Sequence, residues 1–267
     1  MKEAVRRTDW AGAIVRSLAL VLLAGAGIRL ISLLGDPFGE RFLANDLNGY
    51  LAGARRFLDT GSPYLSEQLT GSWRLLPDSF IHPPAAVHLF VPFLVLPAVL
   101  WWLIPIGLTA ASIVRMRPAA WSWPVMAACL LWPRTAGTLI AGNTDMWISA
   151  ALGVTLAWSI PVSVLLLLKP SYLPLAIAGM RWRSWWIASV IVAAACLPFG
   201  TLWFDYVAVI RGAPIEPSYS LLNVPYVAIP LIAWVGRTRP APLRRPLWPV
   251  RITASDEYGT RLGPSPR

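Results

Sequence analysis

The sequence predicts an all-α, polytopic integral membrane protein with about eight transmembrane helices and an amphipathic helix in its first outer loop. Three observations carry that prediction. Of the 267 residues, 56% are hydrophobic and only 13% charged, about half the charge of an ordinary soluble domain. The apolar residues come in long blocks, and the mean hydropathy is +0.57. Basic residues flank those blocks: Lys2, Arg6 and Arg7 precede the first, and Arg237, Arg239, Arg244, Arg245 and Arg251 follow the last. The positive-inside rule expects such residues at cytoplasmic ends.

The same distribution accounts for the net charge of +10. Basic tails against anionic membrane lipid explain it, and a nucleic-acid partner is not needed. Cys129 and Cys196 lie inside apolar blocks, where cysteine behaves as a small buried hydrophobe rather than half of a disulfide or a metal site. Neither His82 nor His88 stands near a Cys, so no zinc pattern is present.

Taken in order, residues 11–34 form the first apolar block. It is too long for a signal peptide's core and fits a span of about 20 residues, running from cytoplasm to outside. Arg16 and Arg29 can extend their charges toward the two interfaces. Residues 35–84 make a long polar outer loop with Asp36, Glu40, Asp46, Asp59, Glu67 and Asp78. A loop of this size is usually functional. Further spans are expected at 84–96, 98–114, 121–140, 146–160, 162–180 and 184–197. A second outer loop, 200–223, holds Asp205, Arg211, Glu216 and Ser218, and a last span covers 224–235. Residues 1–236 thus read as one transmembrane domain. Residues 237–267, rich in Pro, Arg and Gly, read as a disordered cytoplasmic tail. Both termini are expected inside. The pairs Trp101-Trp102 and Trp185-Trp186 are expected to anchor at the membrane interface.

Within the first outer loop, 46–64 has helical periodicity. Leu47, Tyr50, Leu51, Ala54, Phe57 and Leu58 fall on one face, and Asn48, Arg55, Arg56 and Asp59 on the other. Asp46 stands where an N-cap would stand, and Gly61 with Pro63 reads as a stop. The predicted helix lies on the outer membrane surface. Three more polar patches interrupt the apolar blocks: Phe80-Ile81-His82-Pro83-Pro84, Gly142-Asn143-Thr144-Asp145 and Lys169-Pro170. An ionisable residue in so apolar a context needs a partner or a task. On the plainer readings, His82 belongs to a turn, Asp145 caps the helix it begins, and Lys169 pairs helices or reaches for the interface.

An Asp with Tyr at i+4, then Gly-x-Pro-Tyr, Pro-Pro, Gly-Asn-x-Asp and Lys-Pro follow one another here as Asp46, Tyr50, Gly61-Ser62-Pro63-Tyr64, Pro83-Pro84, Gly142 to Asp145 and Lys169-Pro170. In that order they resemble the glycosyltransferase-C superfamily. The chain looks most like the bacterial polyprenyl-phosphate-mannose-dependent alpha-1,2-mannosyltransferases of the cell envelope. The resemblance covers about residues 30–174. It departs from the family at His82, where Tyr is common, at Asn143, where Gln is frequent, and in having fewer spans after Lys-Pro.

What the resemblance implies is a multi-pass hexosyltransferase of the plasma membrane, working on its outer face. It would move a sugar from a polyprenyl-phosphate donor to a lipid or glycan acceptor. Asp46 would be the general base. A glycosyl transfer with inversion needs such a carboxylate to take the acceptor proton, and polar groups to hold the departing phosphate. Candidates for donor and substrate contacts are His82, Arg55, Arg56, Lys169, Arg211, Tyr50, Tyr64 and Asn143. Asp46 and Asn48 offer oxygen ligands to a divalent metal, though two ligands do not make a site. The alternative, from another class, is a non-catalytic membrane protein: a transporter, a flippase-like subunit or a degenerate scaffold.

Overall fold

The computed structural model describes residues 2–35, 43–214 and 222–238, the side chains of 2–9 excepted. Asp36, Glu40, Glu216, Ser218 and the tail from 239 onward lie outside the described residues. Among those described, the regular structure is helical, and an isolated antiparallel bridge joins Pro118 and Arg237. The longer helices are α1 (Lys2–Leu34), α2 (Asn45–Thr60), α3 (Leu100–Met116), α4 (Ser122–Leu131), α5 (Pro133–Ala141), α6 (Asp145–Trp158), α7 (Arg183–Cys196), α8 (Leu202–Gly212) and α9 (Ile229–Val235). Short helical turns fill much of the rest.

One described helix, over Trp10–Leu34, is long and apolar enough to cross a membrane, and α7 with α8 qualifies only if that pair counts as one span bent by 90°. The other expected spans are short or broken, and proline is the recurring cause. The block 121–140 divides into α4 and α5 at Trp132, which is extended (φ −52°, ψ 135°) ahead of Pro133. A residue before proline is pushed out of the helical region by the ring's Cδ. The block 162–180 is not a continuous helix either. It is a 3₁₀ stretch, Val162–Leu168, then the turns Pro170–Tyr172 and Leu173–Ala176. Pro170 and Pro174 each remove a backbone donor that an α-helix would use. Region 84–96 is likewise an irregular helix, Pro84–Leu94. The α6 helix has 14 residues, about 21 Å at 1.5 Å per residue, against a hydrocarbon core of about 30 Å.

The core gathers around α6. Its small residues Ala150, Ala151, Gly153 and Ala157 let α3 and α9 pack against it. In contrast, α1 leans on α4 and α5, and of its described residues only Ala19 is buried. Neither tryptophan pair behaves as an anchor pair. Trp101 is buried and donates its indole N–H to the Gly142 carbonyl at 2.7 Å. Trp102 donates to Leu139 O at 2.6 Å, and Trp185 is buried with its N–H on Ala176 O at 2.8 Å. Trp186 alone of the four is widely exposed.

The amphipathic helix forms as the spacing predicts. Leu47, Tyr50 and Ala54 are buried, while Leu58 is exposed. Gly61, at φ +80°, ends the helix in the left-handed region and donates its N–H to Phe57 O, which glycine does without strain. The start differs from expectation. Ala44, not Asp46, holds the capping position, in a left-handed conformation (φ 57°), and no side chain caps the helix. Ala44 is held there by its N–H on Ile140 O at 2.9 Å, which ties the start of α2 to the end of α5. Asp46 therefore sits inside the first turn with its carboxylate free for other partners.

Candidate active site

The turn before α6, the first residue of α6 and Lys169 all act on Asp46. The turn between α5 and α6 is opened by Gly142 at φ +72°, where an added Cβ would meet Trp102 and Leu47 at 3.0 and 3.1 Å. That turn carries Asn143, whose Nδ2 donates to Asp46 Oδ2 at 2.6 Å. The Asn143 Oδ1 accepts from the Asp145 backbone N–H at 3.0 Å. Asn143, rather than Asp145, thus gives the start of α6 its side-chain bond.

Asp145 is 1% exposed and bound on both oxygens. Lys169 Nζ donates to Oδ1 at 2.5 Å, and Asn223 Nδ2 donates to Oδ2 at 2.7 Å. At the first residue of a helix its charge also faces the favourable end of the dipole. Lys169 makes a second bond, to Thr144 Oγ1 at 3.1 Å, and its Nζ lies over the Tyr172 ring, 5.2 Å from the centroid; no hydrogen bond is described for the last of its three ammonium donors.

Burial raises the Asp46 carboxyl above its ordinary 3.8, and the Asp145 charge adds to the rise; the Asn143 bond and Lys169 oppose it. Burial also drives the Tyr50 phenol well above its usual range, helped by Asp46 and Asp145. His82 is buried, and desolvation with the Lys169 charge lowers it to about 3, so it is neutral near pH 7. Its Nε2 has no hydrogen-bond partner. The ring lies edge-on to Tyr50 at 4.9 Å, and Tyr50 stacks on Phe90 at 4.7 Å, a pair worth about 0.5–1.5 kcal/mol beyond burial.

Beside this network lies a cavity of about 330 Å³, within the range of small-ligand sites. Its walls are apolar and include Phe90, Phe93, Trp101, Trp147 and Leu166, and its polar side chains include His82, Thr144 and Lys169. The Trp147 indole N–H is buried without a partner.

Asp46, Tyr50, His82, Asn143 and Lys169 therefore come together. Tyr64 is adjacent, donating its hydroxyl to the His82 carbonyl at 2.9 Å, and burial raises it above its usual range. The arginines do not join them. Arg56 binds Pro63 O at 2.6 Å and Asp78 at 3.4 Å, which makes it a strut of the segment that follows α2. Arg55 faces solvent. Arg211 is exposed on the last turn of α8, which is held by Trp73 through bonds to Val209 O and Gly212 O. Among the described residues no three His, Cys, Asp or Glu side chains gather as a metal site. Asn223 is a partner that sequence reasoning did not single out, its only hint being a polar residue next to an apolar block; Thr144 stood within the polar patch Gly142 to Asp145, with no role assigned to it. Comparison with family models, with curated proteins and with solved structures gives no match.

Proposed function

We propose that this chain is a multi-pass glycosyltransferase of the bacterial plasma membrane with about eight spans, its termini cytoplasmic and its site on the outer face. It transfers a hexose, first of all mannose, from a polyprenyl-phosphate donor to a lipid or glycan acceptor. One observation carries the reading. A half-buried carboxylate, Asp46, has one oxygen anchored by Asn143, whose neighbour Thr144 lines an apolar cavity together with Lys169 and His82.

In the proposed step the acceptor oxygen attacks the anomeric carbon and its proton passes to Asp46. The bond from that carbon to the phosphate oxygen breaks, and polyprenyl phosphate leaves with the electron pair. A carboxylate raised by burial suits this, because a base works best with its pKa near the working pH. Lys169 is the cation nearest the cavity, and its remaining N–H, with neutral His82, is available to the departing phosphate. Apolar walls suit the donor's hydrocarbon chain. Exposed apolar side chains on several helices, among them Ile31, Val95, Val114, Val190, Leu197 and Phe204, support a lipid environment.

One observation favours the rival reading, a non-catalytic membrane protein: Asp145 already neutralises Lys169. Membranes carrying the chain, incubated with polyprenyl-phosphate mannose labelled in the sugar, separate the two. The proposed function expects label in an acceptor lipid or glycan. No transfer across a panel of sugars and acceptors would overturn it.

A further inference from the structure

The side-chain amide of Asn143 is fixed from both ends. Its NH₂ donates to the Asp46 carboxylate, and its oxygen accepts from the Asp145 N–H. Turning the amide over would set oxygen against carboxylate and NH₂ against N–H. Two repulsions would replace two bonds, so the network itself dictates the orientation. The backbone beneath is equally held, since Asn143 N–H donates to Thr138 O at 3.1 Å and Ala44 N–H to Ile140 O.

We infer that Asn143 is a positioning residue: it anchors Asp46 Oδ2 and aims Oδ1 as the free proton acceptor. A hydrogen bond donated to a carboxylate also stabilises its ionised form. No described hydrogen bond reaches Oδ1. Calling Asp46 a base rests on the proposed function, whereas the anchoring does not. The charged groups facing Asp46 are Asp145 and Lys169 from the α6 side, which act in opposite senses. Tyr50 lies on its own helix, with His82 behind it. On the other elements packed against α2, Arg134 is in the first turn of α5, away from the Ile140 contact. His88 lies against Phe57, about 16 Å along the helix from Asp46.

The test is dicyclohexylcarbodiimide labelling of Asp46 in the full chain, followed against pH by peptide mass spectrometry. This reagent attacks protonated carboxyls in apolar surroundings. Asn143→Ala removes the donor. Asn143→Asp keeps the size and the acceptor for the Asp145 N–H but replaces the donor with a second carboxyl, which guards against simple misfolding. Both variants should stay labelled about one pH unit higher than the native chain. In transfer assays, the acid limb of the rate should move the same way, with KM for the acceptor little changed. Folded variants that label at the native pH would overturn the inference. A native chain silent in transfer, with the labelling shift present, overturns the proposed function and leaves the anchoring standing.

Discussion

Two helices of similar apolar character, α1 and α6, have opposite surroundings. Along its described length α1 exposes Ile14, Leu20, Val21, Ile28 and Ile31, and its arginines bind backbone oxygens, Arg16 to Gly12 and Arg29 to Pro133. In α6, Met146, Leu152 and the small residues are buried, together with Asp145 and Thr155, which find partners, and Ser149, whose Oγ has none. Thr155 Oγ1 accepts from the Ser163 N–H at 2.8 Å. Both are apolar by sequence, and hydropathy alone does not say which is enclosed. The polar residues do, because a buried polar group must find a partner and thereby draws other elements around its helix. The candidate site lies where that demand is greatest, at the start of α6.

Breaking the α6 side should cost most. Lys169→Met strands the buried Asp145 charge and should destabilise by about 3–5 kcal/mol in chemical denaturation of the detergent-solubilised protein. Replacing both partners, Asp145→Leu with Lys169→Met, should restore part of that loss. If the single change is neutral, the pair does not hold the site together. Trp101→Phe leaves the Gly142 carbonyl unpaired and should cost about 1–3 kcal/mol, read in the same way.

Acid should act on the site through His82. Its folded pKa, about 3, lies below its ordinary 6.5. The unfolded chain therefore binds more protons between those values, and stability must fall as pH drops through that window. His82→Phe should flatten this dependence; an unchanged slope would mean that His82 is not buried neutral. At the other extreme, Ile14→Ala and Ile31→Ala on α1 should shift stability by no more than about 0.5 kcal/mol. A larger effect would show that α1 is as enclosed as α6.

Much of the local structure was legible in the sequence. The period of 46–60 foretold α2 and its buried face, Gly61 foretold its stop, and the long apolar blocks foretold the helical structure of the described residues. The long-range facts were not. Asp46 and Asn143 are 97 positions apart, and nothing local to either says that they meet. Asp46 looked like an N-cap because its type suits one, but the Ala44 contact with Ile140 starts the helix earlier. Continuous apolar runs suggested continuous spans, and Pro133, Pro170 and Pro174 divided them into shorter pieces. The tryptophan pairs looked interfacial by composition. Three of those four indoles instead serve carbonyls of the protein, which only packing reveals.

The central claim is that the Asp46 carboxylate, anchored by Asn143, takes the acceptor proton. The most direct measurement is sugar transfer by Asp46→Asn beside the native chain, at equal abundance and equal thermal stability. The substitution keeps shape and removes the base. The account predicts transfer by the native chain and a fall of about 10²–10⁴-fold in the variant. Equal transfer by both would contradict it.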